Sequence, residues 1–526
     1  MILKILRWTS LSIILAGSTW LLWPPPDTEL ETERREREDV THVIRISPGL
    51  SYMPGTSPYG IGAQLQGIRN VAREFEAIRP DTQIEFVNVP VAVREYLVTQ
   101  LSSGQAPDII NVNVEDVWVD IHKGWYVPLD GWLEAPNVFI REQGDPTAPG
   151  YEQWWDQFKY QAVSRGKAAP DGLNYCITFD MIETGIYYNK DIFEEVGVEI
   201  PDTWEEFIEI MGKIREANYI PMLMVMDNIN DWAVDLFFDQ LYFDILPGID
   251  LLQDPVREQY LEGYLDAEEL TYLFQRRGFF GHDDPRYREL WRLLYEYRQY
   301  CNQNLATVDM VREFVTQQAS MIWMASPLTY RLLADRDLGF DWGVFYMPPM
   351  TEATSPYTTG VDMCVIGGSA TQLEVTNRAF SDTGDPNTSE RLQRVMEFLQ
   401  FMTVPENYER IVNEYASFIP NIHGVEAKES LQPFVDILER RYTTTKWTFS
   451  FDLKFSEIQR RMLELYLNDG IDLDEFMEWQ VSNLDAATLN MLHRMDVDME
   501  TMDEAWDRLA PVREGMVDLP PQALEE

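Results

Sequence analysis

An α/β chain of two lobes is the fold class that the sequence predicts, and three observations carry it. The chain has 526 residues, too many for one ordinary domain and suited to two large ones. Strand and helix signals alternate from Val43 to Val112, and the alternation resumes after Asn174. With 45% hydrophobic and 13% aromatic residues, there is apolar material for two cores, which sets global disorder aside.

The elements follow in order. Val43-Ile44-Arg45-Ile46 alternates apolar and polar before Ser47-Pro48-Gly49, a strand signal. Leu65, Ile68, Val71, Ala72 and Phe75 recur at helical spacing, and Ile84–Val87 is a second strand. Val93, Tyr96, Leu97 and Leu101 mark a helix that Gly104 ends, and Ile109–Val112 is the third strand. Strand, helix, strand, helix, strand implies a parallel sheet with helices on its faces. Further on, Asn174–Thr178, Gly185–Asn189, Met222–Met226, Val344–Tyr346 and Val361–Ile366 read as strands. Thr203 is placed to cap a helix, with Glu206 completing a capping box. From Pro433 onward the pattern is mainly helical.

Composition narrows the function. A formal net charge of -46 repels phosphate backbones and disfavours acidic ligands, but not neutral ones such as sugars. No nucleic-acid partner is expected. The bland account of the charge is solubility. Cys176, Cys301 and Cys364 are an odd number without CxxC spacing, so buried inert thiols are expected. His42, His122, His282, His423 and His493 are scattered, so no metal site and no cofactor is expected. No P-loop, G-x-S-x-G, H-E-x-x-H or G-x-G-x-x-G occurs, so no catalytic residues are assigned.

The first 23 residues carry Lys4 and Arg7 before an apolar run from Trp8 to Trp23, the pattern of export. As a helix that run would reach roughly 24–28 Å, a little short of a hydrocarbon layer of about 30 Å. A cleaved signal peptide and a retained anchor over 8–23 both remain open, with the anchor slightly favoured. Residues 24–42 read as a charged tether, and the basic flank puts the body outside the cytoplasm. Leu15-Ala16-Gly17-Ser18 has serine where lipidation would need cysteine.

Several stretches together resemble the solute-binding proteins of bacterial carbohydrate ABC importers, the group that includes maltose-binding protein. They are Leu101–Ile109 (LSSGQAPDI), Gly124–Asp130 (GWYVPLD), and Gly185–Phe193 (GIYYNKDIF) running on to Pro201–Phe207 (PDTWEEF). Phe314–Met321 and Phe418-Ile419-Pro420 are similar too, although Gln317 stands where the family favours glycine. The resemblance covers most of 43–480, leaving Ala135–Lys159, Leu246–Asp284 and Ala370–Glu390 as insertions. It implies a periplasmic-binding-protein-like (type II) fold with crossing hinge strands. One lobe would hold 43–188 plus 361–418, the other 189–360 plus 419–515. It also implies a carbohydrate ligand, an oligosaccharide, held between the lobes of a monomer and handed to permease subunits.

A sugar offers apolar ring faces and hydroxyl edges, so its site needs aromatic planes with carboxylate or amide tips. Loops at the carboxyl ends of parallel strands supply such groups. The candidates there are Tyr59, Glu115, Trp118, Asp180, Glu183, Asn228, Trp232, Ser326, Gly360 and Asp362. Core packing is the competing role for each aromatic, and backbone satisfaction for each carboxylate. Three other readings stand beside this one: a sensor or glycan-capture protein on the same fold, a binder of a cationic solute, and a glycosidase using two carboxylates.

Overall fold

The computed structural model describes residues 40–523 apart from 58–61, 90–93, 114–116, 119, 166–167, 170, 254–264, 306–308, 366–367, 442–452 and 495–496. The apolar run 8–23 and the tether therefore lie outside the described residues. No helix among the described residues is long and apolar enough to cross a membrane.

The strands are β1 (His42–Ser47), β2 (Thr82–Phe86), β3 (Ile109–Asn111), β4 (Cys176–Thr178), β5 (Asp180–Met181), β6 (Thr184–Asn189), β7 (Ile220–Leu223), β8 (Ala319–Ala325), β9 (Trp342–Phe345), β10 (Gln372–Val375) and β11 (Ile419–Pro420). They form two main sheets, ordered β2-β1-β3-β10-β4 and β7-β8-β6-β9. β1 runs parallel to β2 and β3, while β10 lies antiparallel between β3 and β4, so the first sheet is mixed.

Each sheet has its own core. Ile44, Ile46 and Ile109 in the first sheet are wholly buried under the helix Gly67–Ile78, whose Ile68, Val71, Ala72 and Phe75 form one stripe at helical spacing. Phe75 sits 5.2 Å from Phe398 and 5.6 Å from Phe401, so the returning helix Glu390–Met402 closes the same core. In the second, Trp204 is 2% exposed and lies 5.2 Å from Phe237 and 5.9 Å from Tyr297. Thr203 does cap the helix Trp204–Glu216, accepting from the Glu206 amide at 3.3 Å. The capping box is not completed: the Glu206 carboxylate accepts from the Asp202 amide, one residue earlier.

Between the cores lies a two-stranded piece in which Asp180 pairs with Pro420 and Met181 with Ile419. Phe179 belongs to the first core and Met181 to the second, Val365 to the second and Leu373 to the first, Phe418 to the first and Ile419 to the second. The chain passes between the cores at these three places, while Ala162 and Val163 also reach the second core and Ile422 and Val425 return to the first before Leu431. β6 pairs only within the second sheet, so the chain joins that sheet at Thr184, not after Tyr188 as expected. Met363, Cys364 and Val365 likewise pack in the second core, although 361 onward was expected in the first lobe. Val361–Ile366 is not a strand: its described part makes a single bridge, Met363 to Arg441.

The Leu246–Asp284 insertion and the C-terminal helices complete each other. Tyr272 donates to Asp503 at 2.7 Å, Arg277 reaches the same carboxylate at 2.9 Å, and Trp506 lies against Arg277 and Arg513.

Candidate functional site

The pairing of Thr184 with Ala325 sets the carboxyl end of β8 beside the crossing, and β4 ends there at Thr178. The loops that follow β1 and β8 reach the crossing segments, through Tyr52 to Asp180 and through Ser326 to Glu183 and Ser417.

On the first sheet's side, the turn after β1 needs Gly49. Its φ is 77°, and a Cβ there would come within 2.3 Å of the Asn111 amide nitrogen. Asn111 accepts from the Gln372 amide at 3.0 Å, and the Gln372 side chain reaches Asn113 at 3.4 Å. Amide tips thus line the ends of β3 and β10. A cavity of about 310 Å³ opens against the turn after β1 and the segment leading into β11, walled by Leu50, Tyr52, Leu65, Tyr415 and Phe418 with Ser51 and Ser417 adding hydroxyls.

On the other side, β7 leads into Met226–Asn228 and a π-helical turn, Ile229–Ala233, which turns Trp232 outward. The half-buried Trp232 ring lies 5.9 Å from Trp323, and Asn228 donates to the Trp323 carbonyl at 3.3 Å. The sides meet where Tyr330 packs edge-on against Tyr415 at 4.8 Å. A side chain at Gly62 would collide with the Tyr330 hydroxyl.

The sequence candidates separate into groups. Tyr59 and Glu115 lie outside the described residues. Asn228 and Trp232 stand together at the end of β8. Trp118 is half-buried against a small satellite core of Leu97, Leu101, Ile110 and Val117. Asp180 and Glu183, expected to face the cleft, are 0% exposed. Glu183 accepts from the Thr184 amide at 2.6 Å, and its carbonyl accepts from the Ser326 amide at 2.8 Å. Ser326 is equally buried, its hydroxyl donating to the Ser417 carbonyl at 3.1 Å across the crossing. Gly360 and Asp362 are exposed but occupied elsewhere: Gly360 donates to Met350 and Asp362 meets Arg440 at 3.3 Å.

Asp180 has the most unusual surroundings. Burial pushes its carboxyl up to about 6, against the pull of hydrogen bonds from Thr371, Tyr52 and Ser369. Burial and the neighbouring carboxylate hold the Tyr52 hydroxyl far above its usual range. Among the described residues, no group of three His, Cys, Asp or Glu side chains is placed to hold a metal. Tyr52, Tyr330, Tyr415, Asn111 and Gln372 were missed from sequence. Tyr52 stands closer to the end of β1 than Tyr59, and Tyr415 lies just before the Phe418–Pro420 return, so proximity to strand ends was the usable signal.

Residues 62–265 match the family described as bacterial extracellular solute-binding protein. A multiple sugar-binding protein of Streptococcus mutans is 24% identical over 30% of this chain and 32% of its own length. An sn-glycerol-3-phosphate-binding periplasmic protein of Brucella abortus is 26% identical over 30% of this chain and 35% of its own. The chain spans about a third of the length of these curated relatives. The sugar-binding protein MalE of Xanthomonas citri superposes with a TM-score of 0.55 at 15% identity, covering 87% of this chain and 100% of that one. At that identity the likeness shows a shared two-lobed fold. The resemblance to solute-binding proteins of bacterial carbohydrate importers, read from the motifs, is borne out.

Proposed function

We propose that the chain is an extracytoplasmic binding protein that holds a neutral carbohydrate, an oligosaccharide, between its lobes and delivers it to an ABC importer. The lobes are 42–179 with 371–418, and 184–365 with 431–523; Ile422 and Val425 still pack in the first core, and Ala162 and Val163 reach the second. The observation that supports the reading is the set of crossing segments between two sheets, with Trp232 and Asn228 beside β8 of the second sheet and the amides Asn111, Asn113 and Gln372 at the ends of β3 and β10 in the first. Flat rings and amides suit a sugar's faces and edges. Trp118 is the proposed aromatic contact of the first lobe, Tyr59 and Glu115 stay proposed contacts outside the described residues, and Asp180, Glu183 and Ser326 hold the crossing segments together.

A cationic solute is the second reading, favoured by the net charge of -46. Thermal-shift titration with neutral saccharides, polyamines and anions separates the two. A ligand at 100 times its Kd stabilises by about 2.7 kcal/mol. A shift with a neutral saccharide supports the reading, and a response to charged solutes alone overturns it.

A further inference from the structure

The Asp180 carboxylate is wholly buried and ties the loop after β1 to two of the crossing segments. Its Oδ2 accepts from the Tyr52 hydroxyl at 2.8 Å, in the loop after β1 that walls the cavity. Its Oδ1 accepts from the Thr371 amide at 2.9 Å and the Ser369 hydroxyl at 3.2 Å, in the second crossing segment. Its own backbone is in the first crossing, paired with Pro420 in the third.

The shell around this group is aromatic. Tyr52 stands 5.5 Å from both Phe179 and Phe418, and Phe179 stands 5.1 Å from Tyr408. The titratable groups facing Asp180 are the hydroxyls of Tyr52 and Tyr408; the latter donates to the Phe179 carbonyl and accepts from the Asn421 amide. Every bond to the carboxylate comes from a neutral donor. With no cation among these donors, its proton depends on Tyr52 and Thr371 in the first lobe and on Ser369 in the second crossing segment, where a hinge would turn.

We propose that Asp180 is the positioning residue of the hinge, fixing the Tyr52 loop to the crossing segments, so that cleft opening and closing are coupled to its protonation. Coupling is reciprocal: each unit of difference in its pKa between the open and closed arrangements changes the open-to-closed ratio tenfold as pH crosses that range. The inference rests on the two-lobe closure proposed above, but not on the identity of the ligand.

The test is small-angle scattering of the ligand-free chain from about pH 4.5 to 8, alongside the infrared carboxyl band, on wild type, Asp180→Asn and Tyr52→Phe. Burial places the wild-type carboxyl near 6. The radius of gyration is expected to titrate with that same midpoint, to lose the transition in Asp180→Asn, and to move to higher pH in Tyr52→Phe, which removes one stabilising donor. A flat wild-type profile, or the same transition in Asp180→Asn, overturns the proposal. If Asp180→Asn fails to fold, the Tyr52→Phe displacement decides alone, an unmoved midpoint refuting it. Since no carbohydrate is added, a chain that binds no sugar still returns an answer here.

Discussion

Two buried aspartates at opposite edges of the first sheet show how position divides structural from functional work. Asp108, just before β3, is 0% exposed and takes a two-pronged grip from Arg391 at 2.8 and 2.7 Å plus the Arg45 amide at 2.8 Å. Asp180, at the carboxyl edge, is buried just as deeply but holds only neutral donors. At the far edge a full ion pair locks strand to helix, where nothing has to move. At the crossing the bonds to the carboxylate come from neutral donors, and burial makes it easier to protonate.

The comparison breaks most visibly at Arg391. Arg391→Ala removes the two-pronged partner of a buried carboxylate, leaving it Arg378 at 3.9 Å, and is expected to cost about 3 kcal/mol in denaturant unfolding, with ligand affinity unchanged in the folded protein. An effect below ~1 kcal/mol would mean that Asp108 is not held as described.

Asp180 gives the next effect, opposite in kind. Its folded pKa lies above the unfolded carboxylate value, so the folded chain binds the extra proton and its contribution is most favourable in acid. That contribution is lost as pH rises from about 4 to 6, by about 2–3 kcal/mol from the pKa difference. Asp180→Asn should flatten this window in thermal melts recorded across pH. A wild-type contribution that instead grows with pH here would contradict the burial argument. Glu74 and Asp81 have lowered carboxyl pKa values from arginine partners, so their share is present at neutral pH and lost in acid; Asp180→Asn leaves that arm intact.

At the opposite wall, Trp232→Ala should weaken saccharide binding about tenfold, or ~1–2 kcal/mol, while Trp118→Ala tells whether that ring serves ligand or satellite core. If Trp118→Ala lowers the melting temperature without touching affinity in calorimetric titration, its role is packing. The smallest effect is at Thr203, far from the crossing: Thr203→Ala should cost about 1 kcal/mol of stability by losing the cap, with affinity untouched.

What could be read in advance follows the range of each interaction. The helix Gly67–Ile78 was legible because Ile68, Val71, Ala72 and Phe75 repeat at a local period. The Thr203 cap was legible for the same reason, although the Glu206 bond to Asp202 depends on exact turn geometry. β10 was not recognised, because its inward Glu374 breaks the apolar signature; that carboxylate accepts from the Val112 amide at 3.0 Å, just past the neighbouring strand β3. Val361–Ile366 erred the other way, being apolar through core burial rather than strand pairing. The site was legible as a set of loops and less so as side chains. Asp180 and Glu183 are in the crossing as expected, but which way a carboxylate turns is decided by partners up to 191 residues away, such as Thr371.

The most direct measurement is solution scattering with and without the neutral saccharide that gives the largest thermal shift. Lobes that close on a sugar must contract, with a smaller radius of gyration at saturation and recovery on dilution. A chain that binds the saccharide with no change in dimensions, or contracts only with charged solutes, contradicts the account.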